Sequence, residues 1–238
     1  MKKLITIAIV VAFTTNINAQ WFKRIRGNGE MVTKTRSVGE YDKVSVGGSF
    51  DVKLVAGEEG KLTIRIDENL LEYLVTKVED GKLKIKWKKG TNISTRKSIL
   101  ITVPFKDISG VTLSGSGDVF SDATIKANDF KVVLSGSGDM KLVVKSTYLY
   151  SKISGSGNIS LSGDTDKLEY SISGSGNING YELVSNEADV KISGSGGIKT
   201  TVTENLKARI AGSGNIYYKG NPKRQDTKVS GSGNVSSR

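Results

Sequence analysis

Neither cysteine nor histidine occurs in the 238 residues of the chain. Without cysteine there are no disulfides, no thiolate nucleophile and no lipid attachment at an N-terminal cysteine. Without histidine there is no His-based triad, and the two absences together remove the usual zinc ligand sets. Proline is nearly missing, at 2 residues against 28 glycines, and aromatics make up only 7%. Aromatic rings are the bulkiest core fillers, so a chain poor in them and rich in Val, Ile and Leu is expected to build a thin core of stacked aliphatic layers. A membrane-spanning run is lacking too: the apolar stretch Leu4–Phe13 is ten residues long, about half of the ~20 that cross a bilayer.

Met1-Lys2-Lys3 ahead of that stretch and Asn16-Ile17-Asn18-Ala19 after it make residues 1–19 read as a secretory signal peptide cut after Ala19. The expectation is an exported chain starting near Gln20, periplasmic, surface-held or secreted, with no transmembrane segment. Its formal charge of +11 falls to +9 without Lys2 and Lys3. Residues 20–110 carry eighteen Lys/Arg against twelve Asp/Glu, and residues 111–238 fifteen against twelve, so basicity is concentrated in the first half. An exported chain meets little nucleic acid, which makes an anionic glycan, lipid headgroup or other cell-surface component the expected partner.

What the chain has in abundance is one motif, Ser-Gly-Ser-Gly-Asp/Asn between aliphatic residues. Its copies open at Leu113, Leu134, Ile153, Ile172, Ile192, Ile210 and Val229, separated by 21, 19, 19, 20, 18 and 19 residues. A near-constant period of this length predicts a stacked array in which each unit buries its apolar side only against its neighbours. The fold class expected is all-β: a single-stranded parallel β-helix, right-handed as parallel crossovers are, with coils of about 19 residues. Seven copies at the inter-strand spacing give a stack about 29 Å tall.

The glycines Gly115 and Gly117, Gly136 and Gly138, Gly155 and Gly157, Gly174 and Gly176, Gly194 and Gly196, Gly212 and Gly214, and Gly231 and Gly233 are read as a structural corner ladder, turning the chain at one point in every coil through positive φ. Ser116, Ser137, Ser156, Ser175, Ser195, Ser213 and Ser232 would stack with hydroxyls in reach of one another, and Asn158, Asn177, Asn215 and Asn234 would do likewise through their amides. Asp118 and Asp139 hold the equivalent position in adjacent coils. They are the nearest approach to a metal site, for calcium if any, but two acids fall short of the six or more oxygens that a hard cation takes. No cofactor is expected.

Upstream the pattern is degenerate. Ile25–Met31 with Gly27 and Gly29, and Val46–Val52 with Phe50 in place of the second glycine, read as atypical first coils, so residues 20–52 form a leader and early coils. Between Val52 and Leu113 the period lapses. Residues 53–107 are read as a strand-rich cap over the N-terminal end: a strand at Leu62–Ile66, a helical turn capped by Asp67, a hairpin about Glu79-Asp80-Gly81, and a strand at Ile99–Val103 ended by Pro104. Residues 108–238 are the regular coils. Within the cap, Lys82, Lys84, Lys86 and Lys88 alternate with Leu83, Ile85 and Trp87, which puts the lysines on one strand face as a candidate binding surface; Lys89, Arg96 and Lys97 extend it without an acid from 82 to 97.

The signal peptide, Gly27–Gly29, the line Val46–Val52 and the Gly-Ser-Gly-Asn/Asp series resemble the auto-transporter adhesin, head GIN domain family of exported bacterial proteins, most firmly over residues 35–218. The resemblance implies a β-helical fold, a surface or periplasmic location and an adhesive role, and it brings no catalytic residues. The function expected is therefore a non-catalytic exported binding module or adhesin. The alternatives are a polysaccharide-active enzyme, since parallel β-helices host such activities, and an envelope scaffolding protein.

Overall fold

The structure, a computed structural model, describes residues 24–238; the expected signal peptide and the leader residues up to 23 lie outside the described residues. Eighteen strands follow in order among those described. They begin with β1 (Arg24–Arg26), β2 (Met31–Ser37), β3 (Lys43–Gly48), β4 (Asp51–Ala56) and β5 (Lys61–Asp67). A 3-10 helix (Glu68–Tyr73) leads to β6 (Leu74–Glu79), β7 (Lys82–Trp87), β8 (Asn92–Ser94), β9 (Leu100–Phe105) and β10 (Gly110–Gly115). Five long strands that bend with the coil come next: β11 (Val119–Gly136), β12 (Asp139–Gly155), β13 (Asn158–Gly174), β14 (Asn177–Gly194) and β15 (Gly197–Gly212). The last are β16 (Asn215–Lys219), β17 (Arg224–Ser230) and β18 (Asn234–Ser237). The chain is an all-β parallel solenoid.

Each coil pairs in parallel with the next, and the register superposes the motif copies, as at Ile153 on Leu134 and Ile172 on Ile153. Burial within β12 alternates in two runs, Met140, Leu142 and Val144 inward, then Leu149, Ser151 and Ile153 inward. The phase breaks across Lys145–Tyr148, where Lys145, Ser146 and Thr147 form a polar corner. The inward residues stack in files. Val46, Leu113, Leu134, Ile153, Ile172, Ile192 and Ile210 form one, all buried. Each contributes roughly 2 kcal/mol of apolar burial, against the entropy of ordering its coil. Tyr170 is the large exception: its ring lies against Gly180, and its buried hydroxyl has no partner among the described residues.

Residues between β4 and β10 form the cap, and pairing explains why the period lapses there. β10 stacks directly on β3, Leu113 on Val46 and Gly115 on Gly48, so the cap is an insertion between two adjacent coils. On one side β7 continues the stack in parallel beneath β3 and pairs antiparallel with β6 through a turn with Asp80 and Gly81 at positive φ. On another, β9 lies parallel to β4, and β5 runs antiparallel to both β9 and β2. Antiparallel strands thus cover the parallel edge that would otherwise template association.

Three local expectations need correction. Pro104 lies inside β9, not after it: Gly57 donates to the Phe105 carbonyl on the β4 side, so Pro104 faces the other side, where pairing with β5 has stopped at Thr102 and no N–H is needed. Asp67 precedes the helical turn without capping it; its carboxylate accepts from the Gly29 N–H (2.7 Å) and the Thr95 hydroxyl (2.5 Å). Finally, Gly27 and Gly29 do not stack on the ladder. β1 pairs with β8 in a two-stranded sheet of its own, because Gly27 is held against Asp67, where a Cβ would lie 2.6 Å from the carboxylate.

Candidate functional site

The corner ladder is built from two kinds of glycine. Gly155 and its counterparts take φ between 124° and 142°, a region open to glycine alone. The second glycine, as at Gly157, has no positive φ; it is required by proximity, since a Cβ there would fall far inside the contact distance of the Gly138 carbonyl oxygen and 2.8 Å from the Leu134 side chain. Hydrogen bonds explain the crowding. The carbonyl of Gly155 accepts from two successive N–H groups of the next coil, Ser175 (3.0 Å) and Gly176 (3.1 Å), and Gly136 does the same for Ser156 and Gly157. The pair of N–H groups forms a small nest around one oxygen. Val46–Val52 joins this ladder, for Ser116 and Gly117 both donate to Gly48. Serine hydroxyls play no part: among the described residues no hydroxyl bond links Ser116, Ser137 and their counterparts, and the serines contribute through their backbone N–H.

Beside the glycines runs a ladder of acidic and amide side chains. Asp51 Oδ1 accepts from the Asp118 N–H (3.2 Å), Asp118 Oδ1 from the Asp139 N–H (3.0 Å), and Asp139 Oδ1 from both the N–H (3.0 Å) and the amide (2.9 Å) of Asn158. Asn177 then donates to Asn158 (3.0 Å). Each carboxylate is thus directed at the backbone of the following coil. Among the described residues no group of three or more acids converges to hold a metal ion. Replacing Asp139 by alanine should lower stability by roughly 1 kcal/mol, the worth of its accepted bonds. Calcium added to either protein should leave the melting temperature unchanged, and a calcium-dependent rise lost in the variant would refute this assignment.

The lysine strand turns its charges outward as the alternation predicts, with Leu83 and Ile85 buried. It is not free of acid, however. Lys84 donates to Glu79 (2.5 Å), across the hairpin, and Lys77 pairs with the same carboxylate (3.0 Å). These bonds, that from Lys84 first, hold the Glu79 carboxyl down at about 2. A depressed folded pKa gives stability that is complete above the unfolded value of 4.5 and is lost as pH falls toward 2. Acid titration should therefore be steeper for the parent than for Glu79→Gln between pH 4.5 and 2, and superimposable curves would contradict it. Lys88 lies over the Tyr73 ring, 5.7 Å from its centre, while Lys82 and Lys86 have no acid within ion-pair distance among the described residues.

Strand register carries this face across the solenoid. Lys82 aligns with Lys43, then Gly110, then Lys131. In the adjoining file Lys84, Ser45, Thr112, Val133 and Lys152 succeed one another, followed by Ser171, Lys191, Arg209 and Lys228. Residues from distant parts of the chain thus share one basic face that no local pattern reveals.

Residues 40–222 match the family described as "Putative auto-transporter adhesin, head GIN domain". The chain belongs to this family. Three crystal structures of similar fold cover at least 90% of this GIN-domain chain. One is "a putative adhesin" from Bacteroides fragilis NCTC 9343, matched over 100% of its own chain at 22% identity and TM-score 0.86. Another is a "Putative lipid binding protein" from Parabacteroides distasonis ATCC 8503, at 30% identity, 100% of its chain and TM-score 0.75. The third is "a putative adhesin" from Parabacteroides merdae ATCC 43184, at 26% identity, 99% of its chain and TM-score 0.71. No curated protein matches the chain.

In this GIN-domain protein the acids of one outer recess are held by basic side chains. A recess of about 440 Å³ on the outer face contains Glu169, Glu187, Asp189 and Asp226 among others. Lys191 pairs with Glu169 (3.8 Å) and Asp189 (3.4 Å), Lys207 with Asp189 (3.1 Å), Lys167 with Glu187 (3.7 Å), and Arg209 with Asp226. Glu169 also accepts from the Tyr148 hydroxyl (2.9 Å), whose pKa is pushed up to about 12, by burial first and then by this bond. No helix among the described residues is long and apolar enough to cross a membrane.

Proposed function

We propose that this protein is an exported, non-catalytic binding module that attaches to anionic polymer or headgroups at the cell surface through the outer face of the β7, β3, β10, β11 and β12 strands. The observation that carries the reading is the convergence of Lys82, Lys86, Lys131 and Lys152 on that face, with two neighbouring acids, Glu79 and Asp42, engaged by Lys84 and Lys43. Toward β17 the same face neutralises itself through Lys191, Lys207, Arg209 and their acids, so the field is strongest at the capped end. The lipid-binding description of the Parabacteroides relative fits the same surface. Core side chains fill the solenoid, with Leu113, Leu134, Ile153 and Ile198 wholly buried, so a lipid would meet the outside of the molecule by its headgroup. Changing Lys82, Lys86, Lys131 and Lys152 to glutamine should weaken binding to lipopolysaccharide or an anionic vesicle roughly tenfold or more, with melting unchanged, and salt should weaken the parent in the same way. If the parent binds no anionic surface at low salt, or degrades a uronic polymer with turnover, the reading fails.

A further inference from the structure

The structure brings together two basic segments that lie far apart in the chain. β1 and β8 pair in parallel, Arg24 beside Asn92 and Arg26 beside Ser94, in a sheet separate from the main stack. Ile25 turns toward the core and leaves Arg24 and Arg26 exposed on the opposite side. Arg96 and Lys97 follow β8 directly, and the four cations line a single recess of about 460 Å³. We propose that this recess is a binding site for a phosphate or sulfate monoester. The site is separate from the outer lysine face and does not rest on that face having a ligand.

Three observations support it. First, the cations are uncommitted: none of the four forms an ion pair among the described residues, and the hydrogen bond that Arg24 makes is to the Ser94 hydroxyl (3.1 Å). Four like charges in one concave site repel unless an anion joins them, and a dianion with tetrahedral oxygens suits guanidinium forks. Second, the one acid in the recess among the described residues is already engaged. Asp67 is fully buried, and its two oxygens accept from the Gly29 N–H on one wall and the Thr95 hydroxyl on the other. It ties the walls together from beneath. Third, the walls are held in place before any ligand arrives. Asn69 accepts from the Asn28 N–H (3.0 Å) and donates to the Arg26 carbonyl (2.7 Å), while Thr95 Oγ1 accepts from the Lys97 N–H (3.0 Å). Pre-organised walls reduce the ordering cost of capture. Trp87 lines the adjoining recess with Arg96 and Lys97, and its buried indole N–H has no partner among the described residues.

The test is calorimetric titration of the full chain with inorganic phosphate and sulfate at low ionic strength. Saturable binding is expected, weakened roughly tenfold or more by Arg26→Gln with Arg96→Gln and unaffected by Lys126→Gln with Lys141→Gln, two exposed lysines of β11 and β12. Thermal melting monitors folding; if the Arg26 change unfolds the β1 segment, Arg96→Gln with Lys97→Gln on the exposed turn replaces it. A sugar phosphate and, in a chain that already carries Lys82→Gln, Lys86→Gln, Lys131→Gln and Lys152→Gln, phosphatidic acid vesicles then separate the two sources of such a group. Binding of either that is lost in the arginine variant supports the site. Absence of saturable phosphate and sulfate binding, or equal binding by parent and variant, overturns it, as does vesicle binding by the four-lysine variant that survives the arginine changes.

Discussion

Alanine at Gly155 is expected to lower the melting temperature by roughly 10 °C, from a loss of about 3 to 4 kcal/mol at 2–4 °C per kcal/mol for a chain of this size. Two penalties act together. The backbone at φ 138° is outside the regions that L side chains adopt, and the new Cβ would overlap the Gly136 carbonyl oxygen in the coil before. That oxygen already accepts from Ser156 (3.0 Å) and Gly157 (3.1 Å), so it cannot retreat without giving up both bonds. Asparagine should be no better. Its tolerance of positive φ is confined to the left-handed helical region near +57°, far from the angle here. A melting temperature within about 2 °C of the parent for either variant, some 1 kcal/mol at most, would show that the corner can relax and that the ladder is not the constraint described.

Alanine at Phe50 should cost about 3–5 kcal/mol. Phe50 stands where later coils have their second glycine, and the reason lies beneath it. β7 pairs with β3 only as far as Gly47, so no earlier corner stacks below this one. Where later glycines need room for a neighbouring carbonyl, this position has an end to fill. The Phe50 ring does so, wholly buried, lying across Gly48 and edge-on to Trp87 at 5.3 Å and 84°. Glycine at the same place restores the repeat motif yet should be at least as damaging as alanine. If Phe50→Gly melts like the parent, the ring is not sealing the end of the stack.

These cases show what sequence could and could not convey. The coils were legible because the period, the glycine pairs and the aliphatic flanks all report the same local event in every copy. The division of labour between Gly155 and Gly157 was not, since both are glycine and only the neighbouring coil distinguishes a dihedral requirement from a proximity requirement. Asp51 was invisible as the first rung of the acid ladder because 67 residues separate it from Asp118. Likewise Glu79 lies outside the 82–97 window, which contains no acid, and only the hairpin brings it to Lys84. Arg26 and Arg96 share a recess through the β1 and β8 pair, whose three residues each carry no periodic signal.

The inserted cap also sets an order of assembly. A later coil closes on its predecessor over one period, as Asn158 does on Asp139 at a separation of 19 residues, whereas Asp118 must find Asp51 across 67. Closure entropy grows with the logarithm of loop length, so this step costs about 1 kcal/mol more than those after it. The cost is reduced if the intervening chain is already shortened by the β6–β7 hairpin and the β5–β9 pair. Once Val119 lies on Val52, every further turn is a local addition of low contact order. The solenoid therefore has a direction built into its connectivity: a slow, long-range first turn at the capped end, then rapid winding toward Arg238.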